Sequence, residues 1–122
     1  MEDQRKSLGN FGERLAAMSL LRGGYTIRGT QVRTPFGEID IIAERGKEIL
    51  FIEVKTRKTE MFGSPEESIT AKKRTHLARS VEHYRITEKV LDRPFQVDAI
   101  TVLMDQKTKK ATLRRIEHIL EE

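Results

Sequence analysis

Gly37-Glu38-Ile39-Asp40-Ile41-Ile42-Ala43-Glu44-Arg45-Gly46-Lys47-Glu48-Ile49-Leu50-Phe51-Ile52-Glu53-Val54-Lys55-Thr56-Arg57 holds two apolar runs on either side of the turn signal Arg45-Gly46-Lys47. The β-branched runs Glu38 to Ala43 and Ile49 to Thr56 predict two strands joined by a tight turn. Side chains alternate along a strand, so Glu38, Asp40 and Ile42 are expected on one face and Ile39, Ile41 and Ala43 on the other, one acidic and one apolar. In the next strand Leu50, Ile52 and Val54 share one face, and Phe51, Glu53, Lys55 and Arg57 the other. Pairing the strands across the turn lets Asp40 and Glu53 point the same way.

Upstream, Leu8, Phe11, Leu15 and Met18 recur at helical spacing, and Gly23-Gly24 is a helix stop. Tyr25 to Arg33 predicts a strand that reaches the stretch above through the turn Pro35-Phe36-Gly37. Downstream, Ser64-Pro65-Glu66-Glu67 is a helix start, with Thr70 as a rival start, for a helix ending near Arg85. Asp92-Arg93-Pro94 breaks the pattern before a strand from Phe95 to Met104. Residues 111–118 fit strand or helix and are read as strand. The order αβββαββ describes a mixed sheet with helices packed against it.

At 122 residues the chain fits one domain, expected over residues 7–122 behind a flexible polar tail of residues 1–6. Lys and Arg number 23 against 19 acidic residues, a net charge of +4 that permits a polyanionic partner without requiring one. With no cysteine, disulfides and thiolate metal sites are excluded, and any metal would sit on oxygen or imidazole ligands, which favours hard ions such as Mg²⁺ or Mn²⁺. The opening Met-Glu-Asp-Gln-Arg-Lys has no signal-peptide core, and no apolar run approaches the ~20 residues of a membrane span, so a cytoplasmic protein with no membrane partner is expected. No glycine-rich phosphate loop supports ATP or NAD use.

Two carboxylates held close on rigid strands repel each other unless a cation neutralises them, which makes Asp40 and Glu53 candidate ligands of a divalent ion. Phosphodiester cleavage needs a positioned water and relief of charge on the phosphorus oxygens; a divalent ion supplies both, and the Lys55 ammonium adds to the second. Glu13 shares a helix face with Ala16, Ala17 and Leu20 and is a candidate third ligand. It also reads as the third helical residue behind an Asn10 cap, a purely structural role. Glu38, on the same face as Asp40, is a secondary candidate ligand but is expected rather to pair with Arg33, and Asp98, inside an apolar strand, with a buried arginine rather than a metal. Lys72, His76, Arg79 and His83 form a basic ridge beside Lys73 and Arg74, either a solvated face or a phosphate-binding one. The histidines lack the spacing of a zinc site.

Gly12-Glu13, Gly37-Glu38-Ile39-Asp40, Phe51-Ile52-Glu53-Val54-Lys55-Thr56-Arg57, Phe62-Gly63 and Lys73 together resemble the uncharacterised bacterial YraN family, over about residues 9–119. That family is similar in motif to archaeal Holliday-junction resolvases. The resemblance implies an α/β restriction-endonuclease-like fold with an αβββαβ core. It also implies that Glu13, Asp40, Glu53 and Lys55 stand at the helix Glu, strand Asp and E-x-K positions of the PD-(D/E)xK nucleases. The proline of that motif is absent, since Ile39 precedes Asp40. The expectation is a Mg²⁺- or Mn²⁺-dependent DNA endonuclease acting on duplex or branched DNA. Asp40, Glu53 and Glu13 would be metal ligands, Lys55 catalytic, and Arg57, Lys72, Lys73, His76 and Arg79 phosphate contacts, with a homodimer possible for paired cuts. The alternatives are a DNA-binding module that cuts nothing and works with a partner, and a protein whose charges form surface networks only.

Overall fold

A computed structural model describes residues 4–58 and 69–120 of the chain. The elements follow the order αβββαββ: α1 (Gln4–Arg22), β1 (Thr26–Thr34), β2 (Gly37–Arg45), β3 (Glu48–Lys58), α2 (Ala71–Thr87), β4 (Phe95–Met104) and β5 (Ala111–Ile116). They form one mixed sheet in the order β1-β2-β3-β4-β5, antiparallel except for the parallel pair β3 and β4. That parallel step requires a crossover, and α2 lies within it.

The helices pack on opposite faces of the sheet. Ala16 and Leu20 of α1 join Ile41, Ala43, Leu50, Ile52, Ile100 and Val102 in one core, while Leu77, Val81 and Tyr84 of α2 join Ile39, Ile42, Phe51 and Val97 in another. With both faces covered, the middle strands must be apolar on both sides, which explains the near-continuous run Ile49 to Ile52. One acidic face along β2 is therefore ruled out. Ile42, on Asp40's side of the strand, is core, and acidic side chains collect only at the end of the sheet where β2 begins and β3 finishes. Ile39 departs from the alternation as well, packing with Ile42 in the α2-side core rather than with Ile41.

Other boundaries also move. The first helix reaches back to Gln4, into the stretch expected as a tail, whose first three residues lie outside those described. The helix start at Ser64-Pro65 and the Phe62-Gly63 motif lie outside the described residues too. Helix α2 begins at Ala71 behind the rival start Thr70, whose hydroxyl accepts the Lys73 amide at 3.2 Å. The ambiguous segment after residue 110 is strand. Gly46, at φ 61, makes the β2–β3 turn, a conformation that a Cβ would penalise. Asp98 is fully buried and satisfied by Arg115 Nε at 2.7 Å, the Gln96 amide and the His118 backbone N–H, which ties the segment after β5 to β4.

Candidate functional site

The β2–β3 ladder runs from Arg45↔Glu48 to Ile41↔Ile52. Beyond it, where Asp40 would face Glu53, the Val54 amide donates to Asp40 Oδ2 at 2.8 Å instead of to a strand carbonyl. The Asp40 side chain thus satisfies the amide left over as the strands part, and it is held facing β3. On its other side, the β1–β2 register passes from Thr30↔Ile41 to Val32↔Ile39 with Gln31 between them at φ 49. A left-handed glutamine costs roughly 1–2 kcal/mol, and strain of this kind collects at functional sites. Its side chain leaves the sheet to donate to Glu13 Oε2 at 2.9 Å.

Glu13 reaches the strands because α1 lies very close to β3. A Cβ on Gly12 would collide with the Thr56 hydroxyl, so glycine permits the approach that brings its neighbour to Asp40. The same hydroxyl is buried without a hydrogen-bond partner. Three carboxyl groups interact here, and Asp40 records it. Burial first, then the charges of Glu53 and Glu13, push its carboxyl up to about 8 against the opposing pull of the Val54 amide. Glu13 is also raised, mainly by burial, although its hydrogen bonds to Gln31 and Asp40 oppose the shift.

Two lysines meet the acids. Lys73 Nζ lies 2.9 Å from Glu53 Oε1, an ion pair in which the carboxylate is largely buried. Burial and the hydrogen bond and charge of neighbouring Lys73 lower Lys55 below the usual lysine range, more than Glu53 and Asp40 restore it. For Lys73, burial is outweighed by its hydrogen bonds to Lys55 and Glu53, so it holds its proton more firmly than usual. Lys55 thus feels the charge of Lys73, which is itself tied to the Glu53 carboxylate.

Of the four residues expected as catalytic, Glu13, Asp40 and Glu53 interact with one another, and Lys55 interacts with Asp40 and Glu53. The expected phosphate contacts divide. Lys73 belongs to the acid cluster, and His76 lines a cleft of about 310 Å³ with Phe36, Glu38, Asp40, Glu53 and Lys73. Lys72 and Arg79 are exposed on the outer ridge of α2, and Arg57 is half-buried on β3. Glu38 pairs with Arg33 at 3.6 Å across an exposed strand edge, as expected and with little energetic weight. Gln31, Gly12 with Thr56, and the direct grip of Lys73 on Glu53 have no counterpart in the reading of the sequence.

The donors suit a hard cation, since all are carboxylate oxygens and the Asp40 carboxyl holds a proton near neutral pH in its place. Among the described residues no three acidic or histidine side chains gather tightly enough to close around one ion. With Glu13 tied to Gln31, a direct shell would draw on Asp40 and Glu53, the pairing of few carboxylates with several waters that Mg²⁺ favours.

Comparison with known proteins finds relatives of this chain. The model of a family described as "Uncharacterised protein family UPF0102" matches residues 12–102, which includes Gly12, Glu13, Asp40, Glu53, Lys55 and Lys73. A UPF0102 protein of Moorella thermoacetica is 38% identical over 113 residues, 93% of this chain and 94% of that protein. One from Desulfitobacterium hafniense is 49% identical over 84 residues, 69% of each. Among solved structures, Pyrococcus furiosus SfsA in complex with Ca²⁺ superposes with a TM-score of 0.41 at 16% identity, covering 93% of this chain and 63% of that one. No described helix is long and apolar enough to cross a membrane.

Proposed function

The chain belongs to the uncharacterised protein family UPF0102 (YraN), and from that membership together with the acid cluster we propose that it is a divalent-metal-dependent DNA endonuclease selective for branched structures. The observation that carries this reading is the Asp40 carboxyl, wedged between Glu53 and Glu13 beside two lysines at the open end of β2 and β3. A buried group of like charges is unfavourable in itself, and it becomes useful when a substrate complex brings positive charge to it.

Asp40 and Glu53 would hold Mg²⁺ or Mn²⁺, with Glu13 taking part through water. The ion, when bound, supplies an acidified water and neutralises charge on the phosphate oxygens. The residues do the rest. The Val54 amide fixes Asp40, and Gln31 fixes Glu13. Lys73 holds Glu53 in place until a cation competes for it. Lys55 Nζ, which releases its proton more readily than an ordinary lysine, stands ready to accept one from the attacking water or to donate a hydrogen bond to the phosphate. As the water oxygen bonds to phosphorus, the opposite P–O bond breaks and the leaving oxygen takes up a proton. His76, Lys72, Arg79 and Arg57 supply contacts for the DNA backbone.

One observation favours a second reading. The Glu53–Lys73 ion pair satisfies its carboxylate without any metal, as suits a DNA-binding module that leaves cutting to a partner. Cleavage of four-way-junction and duplex DNA with Mg²⁺ or Mn²⁺, for the natural chain and for Asp40→Ala and Lys55→Ala, separates the two. The nuclease reading expects metal-dependent cleavage of the junction that drops by about 100-fold or more in both variants. Cleavage that survives both changes removes it, and DNA binding indifferent to EDTA and to Asp40→Ala with no cleavage supports the module.

A further inference from the structure

We propose that the β1–β2 turn carries a nucleobase platform, in which the Phe36 ring stacks on a base of DNA that has left its pair beside the bound phosphate. The inference rests on the DNA reading above and deepens it by naming what selects the substrate. Phe36 lines the same cleft as Asp40, Glu53 and Lys73, yet 43% of it is exposed. A large apolar ring at the mouth of an ionic cleft has no core to serve.

The turn is held still rather than hanging loose. The Thr34 hydroxyl accepts the Phe36 amide at 3.1 Å and is hydrogen-bonded to Gly37 O at 2.9 Å and to Ser80 Oγ at 2.8 Å, which fastens the turn to α2. Gly37, at φ 144, holds a backbone conformation that a side chain would strain, so the turn keeps its shape through a glycine there. His83 meets the ring at 70° and a centroid distance of 6.2 Å, so the two rings are not stacked in parallel. A rigid aromatic ring beside bound phosphates is what a base needs as a stacking partner, because every base has a π-face. In a continuous duplex those faces are already covered by neighbouring pairs, so the platform rewards DNA with a base out of the stack, as at a junction, flap or bulge.

The chain has no tryptophan, so Phe36→Trp places a single indole at this position as a reporter. Three labelled duplexes of equal length are titrated without divalent metal: one fully paired, one with a single bulged thymidine, and one with an abasic residue at the bulge. Binding is followed by anisotropy and stacking by tryptophan quenching. The platform predicts quenching by the bulged thymidine alone, and a loss of about 5- to 150-fold in affinity for that duplex, and not for the other two, in Phe36→Ala. Equal quenching by the abasic duplex, or an equal loss on all three, overturns the platform and leaves the DNA reading standing. If the natural chain shows no salt-sensitive affinity for any of the three, the DNA reading falls and the platform falls with it.

Discussion

Asp40 carries a proton where an isolated aspartate would not, because burial and two neighbouring carboxylates disfavour its charge. The folded protein therefore binds a proton that the unfolded chain has released between the ordinary value of 3.8 and about 8. In that window the native state holds more protons than the unfolded state, so stability falls as pH rises. Asp40→Asn keeps an oxygen for the Val54 amide and cannot ionise. Measured by urea unfolding without metal, the variant is expected to match the natural chain at the acid end of the window and to exceed it above pH 8 by about 1–3 kcal/mol, the scale of one desolvated group. A natural chain whose stability does not fall across the window would show that the carboxyls do not press on one another. Asp40 and Glu53 could be placed together from the sequence because strand alternation and a short turn are local rules. Gln31 could not, since its left-handed backbone and its bond to Glu13 depend on a helix 18 residues away.

Each element brings its chemistry to the same end of the sheet by a particular contact. Helix α1 does so through Gly12, whose hydrogen faces Thr56 of β3. Gly12→Ala should lose about 1–3 kcal/mol of stability as the helix is pushed away, more than the small gain in helix propensity returns. Thr56→Ala in the same chain should recover part of that loss, because the nearest atom is gone while the Thr56 Cβ remains 3.0 Å away. Urea unfolding of the two single variants and the double variant measures the coupling, and purely additive effects would deny the contact. Helix α2 works from its first turn, where the Thr70 cap fixes the residue whose side chain holds Glu53. Periodicity put Lys73 beside the basic ridge, and that much was legible. How the first turn stands over the end of β3 was not, because the connection before Thr70 carries no signal that sets the angle of the helix. Ile39 was misplaced for a related reason. Strict alternation groups Ile39 with Ile41, whereas its side chain packs in the α2-side core with Ile42 just where the β2–β3 ladder ends.

For the molecule as a whole, a charge of +4 is small, so any affinity for DNA must come from where the cations lie. Lys72 and Arg79 are exposed on α2 on the same ridge as His76, which lines the cleft. If both contact phosphates, changing both to alanine should reduce the slope of log K against log salt by roughly 2, at about 0.9 per phosphate. Fluorescence anisotropy over a salt series checks this, and an unchanged slope would make the ridge a solvated face. The order of elements, the mixed sheet and the shared side of Asp40 and Glu53 were all legible, since they follow from hydrophobic period and turn chemistry. The supports of the site were not, because contacts such as Gly12 with Thr56, Gln31 with Glu13 and Thr34 with Ser80 join segments far apart in the chain. The nuclease reading depends on the carboxylates of the site accepting a divalent ion. Calorimetric titration of Mn²⁺ into the natural chain and into Asp40→Asn tests this most directly. Stoichiometric binding that releases protons near neutral pH and disappears in Asp40→Asn is the predicted result. Absent binding, or binding that Asp40→Asn leaves intact, would contradict it.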